Sequence, residues 1–349
     1  MSKENACFRP DDLRRWISSV LQSQGVAAKD ADETARVLIR TNLRGIDTHG
    51  IGRVSGYVDK LRSGELNARP DGSMELRDGV LYVDGDGGLG QSVGMKAVHE
   101  AAARAAQTSV VNCFIRRSGH LAAIGQYALE AAERGMVAMI CQETPPLMAL
   151  EGSSRPAIGN NPIAFACPVK GQAPLVFDMA TSVVARGNLL QAISDGKTTI
   201  PDGWAIGPDG KPTNDPQLAL QGAMRPVAGH KGVGIAMMVQ VLAGSLTGSL
   251  TADSAATHGA TSSAGNVSAF LMVINPQSVI GREAFDAHVA QWIGTYLSAS
   301  GEGSRYPGQR ASETEAIRET SGIPIPASTF EQLRKVGFSV GVPFEPRTI

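Results

Sequence analysis

The sequence predicts a mixed α/β fold, with helices and strands in one loop-rich chain, and three observations carry that reading. Forty glycines and 19 prolines in 349 residues are more than an ordinary helical protein uses. Helical periodicity dominates residues 10–79, with Gly25, Gly45 and Gly64 as punctuation. Beyond residue 80, short apolar runs of strand length mix with helical stretches, without the steady strand-helix alternation of a doubly wound sheet. In order, a strand is expected at Val80 to Asp84, an alanine-rich helix at about 92–107, and a strand at Val110 to Ile115. A helix at 121–134, a strand at 136–142 and short strands at 163–167 and 174–178 follow. Pro201 to Pro216 reads as a polar loop, 232–247 as an apolar, glycine-bearing helix, and the Ser/Thr/Ala/Gly-rich 249–266 as a mobile stretch. A strand at 267–275, a helix at 277–298 and a tail of a Gly-Ser turn with two short helices complete the chain.

Composition excludes several classes of function. The 32 basic and 33 acidic residues nearly cancel, so no electrostatic case exists for nucleic acid or an anionic membrane, and a small-molecule ligand is expected. Cys7, Cys113, Cys141 and Cys167 are widely spaced without a C-x-x-C pair, which predicts reduced thiols, no metal site and a cytoplasmic protein. No apolar run reaches the roughly 20 residues of a membrane span, and the start lacks the apolar stretch of a signal peptide.

The segment Gly45-Ile46-Asp47-Thr48-His49-Gly50-Ile51-Gly52-Arg53 places an imidazole and a guanidinium four residues apart. With Gly45 ending the preceding helix and Asp47 as the next N-cap, His49 and Arg53 are expected on one helix face near its positive end. That pair suits a small carboxylate held by the arginine fork beside a proton-exchanging histidine; the other reading is a surface helix with a capping histidine. Gly85-Asp86-Gly87-Gly88-Leu89-Gly90 satisfies G-x-G-x-x-G, but Asp84 and Asp86 would set two negative charges where a pyrophosphate must sit. A packed glycine turn entering a helix is the expected use. Ser118-Gly119-His120 offers either a second acid/base imidazole or a helix cap. Asp178-Met179-Ala180-Thr181-Ser182 offers hydroxyls and amides to a phosphate or ribose, or a plain strand-to-helix cap. Gly229-His230-Lys231-Gly232 presents a cation between glycines.

Taken in order, THGIGR (48–53), SGH (118–120), GNNPIAFACP (159–168), DMATS (178–182), the IPDGWA and DGKPTNDP loop (200–216), GHKG (229–232) and YPGQ (306–309) resemble the malate/L-lactate dehydrogenase family of the sulfolactate-dehydrogenase type. The resemblance spans nearly the whole chain. It implies a mostly antiparallel cofactor-binding sheet, not a Rossmann fold, and NAD or NADP as cofactor for interconverting 2-oxo and 2-hydroxy acids. It further implies a homodimer, with substrate contacts from Thr48, His49 and Arg53 and with His120 as a competing acid/base. Asp178, Met179, Ala180, Thr181, Ser182 and Lys231 are implied along the cofactor, with Pro307, Gly308 and Gln309 closing the site. The implied division is a helical segment 1–79 carrying substrate residues, a catalytic and dimerisation region of 80–135 plus 280–349, and an NAD(P)-binding domain at 136–279. Gln309 stands where many members have glutamate, Thr48 where many have serine, Asn160 where threonine is frequent, and Ser268 where some carry histidine. Three other readings stay open: a cyclic imino acid reductase, a noncatalytic nucleotide-binding protein, and a hydrolase built on Ser182, His120 and Asp178.

Overall fold

Pro10 at the first helical position, with Asp11 and Asp12 in the first turn, starts helix Pro10–Ser23, which packs against Ala28–Leu43. Gly25, Gly45 and Gly64 all take left-handed φ (+88°, +78° and +75°) just beyond helix ends. The computed structural model describes residues 6–153, 155–249 and 266–349. Leu13, Ile17, Leu21, Leu38, Val54 and Tyr57 form a core that the chain's far end completes through Leu333, Phe344 and Phe330, the last stacked on Phe8. Strand Ala6–Phe8 pairs antiparallel with Ile323–Ile325, so both ends of the described chain belong to one helical lobe.

The expected helical character of 10–79 fails after residue 65. Ser73–Arg77 is a strand, paired antiparallel with Val80–Asp84 across Asp78 and Gly79, both at positive φ (50° and 79°). Asp-Gly is the two-residue turn whose twist matches a hairpin, so a signal present in the sequence was outweighed by helical periodicity upstream. These strands open a seven-stranded sheet in the order 73–77, 80–84, 110–118, 267–274, 137–142, 163–167 and 175–179. Only the pairing of 80–84 with 110–118 is parallel, so this sheet is mostly antiparallel and the fold is not a Rossmann fold. It joins strands from both sides of the expected boundary at 135/136.

Helices Gly90–Thr108 and Gly125–Glu133 cover one sheet face through Val98, Ala101, Tyr127 and Ala131. The second of these starts four residues later than expected. The polar loop 201–216 contains two short strands, 205–206 and 212–213, of a second sheet that also takes in 223–224, 146–148 and 158–159. The expected helix 232–247 is His230–Val239 followed by a π-turn, Gln240–Gly244, and a 3-10 turn. Gly244 leaves room there for the Glu143 carboxylate, which accepts from Gln240 Nε2 at 2.8 Å. The expected mobile stretch 249–266 lies, apart from its end residues, outside the described residues. Pro276–Val279 and Arg282–Ser300 replace the single helix expected at 277–298, with Gly281 at φ 82° between them. Among the described residues no helix is long and apolar enough to cross a membrane.

The glycine fingerprint serves packing. Asp84 accepts from the Arg117 Nε at 2.8 Å and from the Asp86 amide at 3.0 Å, while Gly85 and Gly87 donate to the carbonyls of Arg116 and Arg117. A Cβ built on Gly90 would overlap the Gly119 carbonyl and lie 2.5 Å from the His120 carbonyl oxygen. Gly90→Ala should therefore lower the unfolding free energy by about 1–3 kcal/mol, as overpacking does, and displace the 118–120 loop. Urea unfolding measures it, and a variant as stable as the parent would mean that the loop has slack.

Candidate active site

A cleft of about 980 Å³ opens between the helical lobe and one end of the large sheet. Arg44, Thr48, His49 and Arg53 line it from the lobe; His120, Gln126, Gln142 and Asp178 line it from the sheet side, with Pro307 and Gly308 at its rim.

His49 and Arg53 arrive there by a different route from the one expected. Asp47–His49 and Ile51–Arg53 are separate 3-10 turns, and the α-helix begins only at Val54. Asp47 caps nothing: its carboxylate accepts from Asn42 Nδ2 (2.7 Å) and from Arg318 (2.8 and 3.1 Å). Gly50 separates the turns because Asn42 fills the space a Cβ would need, while Asn42 Oδ1 accepts from the Ile51 amide at 2.7 Å. Arg53 donates through Nε to the Thr48 carbonyl (2.7 Å), and the Thr48 hydroxyl lies 2.9 Å from His49 Nδ1. Thr48, His49 and Arg53 thus form one bonded unit.

His120 lies in the loop before helix Gly125–Glu133 and does not cap it. Its ring centroid is 5.9 Å from that of His49. Burial, reinforced by the Arg53 charge, holds His49 down at about 4. Burial, then the charges of His49, Arg53 and Lys60, holds His120 down at about 3. Both imidazoles are accordingly neutral at neutral pH. Asp178 is pushed up to about 6 by its protein surroundings, opposed by a 2.8 Å hydrogen bond from the Gly125 amide. Its carboxylate opens on the cleft, so water there softens the effect and a bound ligand that displaces the water strengthens it.

The remaining expected positions divide. Asp178, Met179 and Ala180 line the cleft. Thr181 and Ser182 do not offer their hydroxyls to it: Thr181 Oγ1 faces Met148 Sδ at 3.8 Å and Ser182 Oγ donates to the Val184 carbonyl at 2.7 Å. Both are buried because the segment stitches the sheet edge to 158–160 and 225–227, through Thr181 N to Asn160 O and Val227 N to Thr181 O. The hydrolase arrangement fails with them, since the Ser182 hydroxyl turns inward rather than towards His120. Lys231 is exposed on helix His230–Val239 and is not among the cleft residues; the Gln309 side chain accepts from the Tyr306 amide at 2.8 Å instead of facing the cleft. Arg44 lines the cleft, but its guanidinium is held by Glu315 at 2.7 Å. Arg116 and Arg117 pair with Asp84.

Sequence reasoning missed Gln126 and Gln142, which are buried, line the cleft and have side-chain oxygens without a partner among the described residues. A glutamine ending the apolar strand Val137–Gln142 was the one legible hint.

The family model described as malate/L-lactate dehydrogenase matches residues 8–334. The chain is 36% identical over 351 residues to a malate dehydrogenase of Pyrococcus horikoshii, covering 95% of each. It is 33% identical to a Delta(1)-pyrroline-2-carboxylate reductase of Pseudomonas fluorescens, over 93% of this chain and 96% of the relative. Among solved structures, the Pyrococcus horikoshii malate dehydrogenase superposes with a TM-score of 0.87 at 32% identity, covering 99% of this chain and 98% of that one. The sulfolactate dehydrogenase of Methanocaldococcus jannaschii does so with 0.84 at 30%, covering 97% and 98%.

The neutral imidazoles make stability depend on pH in a definite sense. Unfolded histidine takes up protons below about pH 6.5, whereas His120 in the folded chain refuses them until about 3. Stability should fall as pH drops from 6.5 towards 4, and His120→Asn should flatten that limb in urea unfolding series at pH 7, 6 and 5. An unchanged limb would show that His120 is charged in the folded chain.

Proposed function

The chain belongs to the malate/L-lactate dehydrogenase family, and from that premise we propose that its central cleft transfers hydride between NAD(P)H and a small 2-oxo acid, giving the 2-hydroxy acid. The observation that carries this is the pairing of Arg53 with two neutral imidazoles in one cleft, an anion-binding cation beside proton-exchanging groups.

The cleft suits a dinucleotide. Its volume stands at the upper end of ligand sites, and the unpartnered buried oxygens of Gln126 and Gln142 are acceptors that a carboxamide or ribose hydroxyls would satisfy. Asp178, Met179, Ala180, Pro307 and Gly308 would hold it, within a region formed mainly by 136–279, while 1–79 supplies the substrate side. Reduced nicotinamide supplies the hydride when bound.

The chain's own residues do the rest. Arg53 has its Nε on Thr48, which orients the guanidinium so that its terminal nitrogens meet the substrate carboxylate. A histidine then delivers a proton to the carbonyl oxygen as the carbon accepts hydride. Carboxylate binding sets a negative charge beside the imidazoles and so favours the imidazolium that delivery requires. A second reading, reduction of a cyclic C=N bond beside a carboxylate, is favoured by the likeness to the pyrroline-2-carboxylate reductase and uses the same groups.

We also infer a cytoplasmic homodimer. Exposed Met237, Val241 and Leu246 on one helical run, and Phe165 and Phe177 on the sheet, support a second copy covering them. Light scattering should return a particle of two chains; a monomer at micromolar concentration would remove this inference.

The activity test follows NADH and NADPH oxidation against 2-oxo acids and a cyclic imino acid. Turnover of a 2-oxo acid is expected, imine-only turnover would move the chain to the reductase reading, and silence with intact cofactor binding would leave a nucleotide-binding protein. Arg53→Lys should raise KM roughly 10- to 100-fold by losing the bidentate fork. Alanine at the proton-donating histidine should lower kcat by roughly 10²–10⁴-fold, and equal small losses at His49 and His120 would refute a single donor.

A further inference from the structure

Behind His120, on the side away from the cleft, runs a buried hydrogen-bond chain that the reaction as described above leaves unused. Tyr57, on helix Val54–Ser63, is buried, does not line the cleft, and sets its hydroxyl 3.3 Å from His120 Nδ1. Gln91, buried in the first turn of helix Gly90–Thr108, donates from Nε2 to that hydroxyl at 2.7 Å and to the His120 carbonyl at 2.9 Å.

The direction of each bond follows by elimination. A carbonyl oxygen only accepts, so the Gln91 atom facing His120 O is the amide nitrogen, and the same nitrogen faces the phenol. With that lone pair of the phenol oxygen engaged, the phenol proton has His120 Nδ1 as its acceptor; a buried hydroxyl left without one would be costly. In the neutral imidazole Nδ1 therefore accepts and the ring proton sits on Nε2, the nitrogen left for the cleft. His49 has no comparable lock, since its Nδ1 meets the exposed Thr48 hydroxyl.

We propose that Tyr57 is a positioning residue that holds His120 with its transferable proton on Nε2, facing the substrate's carbonyl oxygen. The proposal rests on the reading of the cleft as a 2-oxo acid reductase. In the imidazolium Nδ1–H donates to the phenol oxygen and the phenol proton gives up its acceptor, a cost that favours the neutral resting ring with its proton on Nε2. In the reduction the carbonyl carbon accepts hydride and the carbonyl oxygen takes the Nε2 proton of the imidazolium, which leaves the Nδ1–H imidazole, to be reprotonated at Nε2 from solvent. Burial pushes the phenol itself up to about 12, so it remains protonated throughout the neutral range.

Nitrogen NMR of His120 in the full chain reads the tautomer directly. The wild type should show Nε2–H at neutral pH and Tyr57→Phe a mixture of tautomers; Nδ1–H in the wild type, or an unaltered spectrum in the variant, overturns the proposal. In the reduction, Tyr57→Phe should lower kcat roughly 10- to 100-fold with KM within about twofold, the size expected for a misplaced reacting group. In the His120→Ala background the same substitution should cost nothing further, and a full additional loss there would show that Tyr57 acts elsewhere. A wild type that turns over neither 2-oxo nor imino acids removes the functional reading, while the wild-type NMR spectrum, which needs no variant, still decides the hydrogen-bond chain.

Discussion

The cleft depends on the register of one strand. Val267–Ile274 lies between Val110–Ser118 and Val137–Gln142, and its pairing sets Ala269 opposite both Ile115 and Gln142 and Val267 opposite Ser118. The next strands continue the ladder, with Cys141 opposite Ile163 and Ile163 opposite Met179. One sheet end therefore presents the loop leading to His120, the Gln142 amide and the Asp178 to Ala180 segment together. A one-residue slip would turn buried Ala269, Leu271 and Val273 outward, which the covering helices forbid.

On the facing lobe, charge pairing occupies several arginines and leaves Arg53 open to a ligand. Arg40 is held by Glu133 and Glu315, Arg44 by Glu315, and Arg318 by Asp47. Arg53 uses only Nε on a backbone carbonyl, which orients the guanidinium without cancelling its charge. Burial, with that uncancelled charge added, holds both imidazoles neutral. In the proposed reaction, substrate binding and proton availability are in this way consequences of a single electrostatic arrangement.

Helix Gln309–Ser321 ties the two sides together. It starts at Gly308, whose φ of +100° lets Pro307 hydrogen-bond to Val176 at the sheet edge, and it carries Glu315 to Arg40 and Arg44 at the end of helix Ala28–Leu43 and Arg318 to the turn that bears His49. Both rims of the cleft are thus attached to one helix.

The sequence by itself determined the element types of most of the chain, the glycine stops after the first helices, the packing use of the Gly85 turn, and the group Thr48, His49, Arg53 and His120 as residues of one cleft. The first three are readable because periodicity and turn chemistry act over a few residues, and the last because seven landmarks in order along the chain resemble one family. Only the tertiary structure decided that Asn42 and Arg318 shape the turn around His49, that the Thr181 and Ser182 hydroxyls face inward, and that Tyr57 and Gln91 stand behind His120. The physical reason is that a polar side chain takes its direction from whichever partner burial leaves within reach, and several of those partners lie tens to hundreds of residues away, as with Tyr57 and His120, 63 apart, or Asp47 and Arg318, 271 apart.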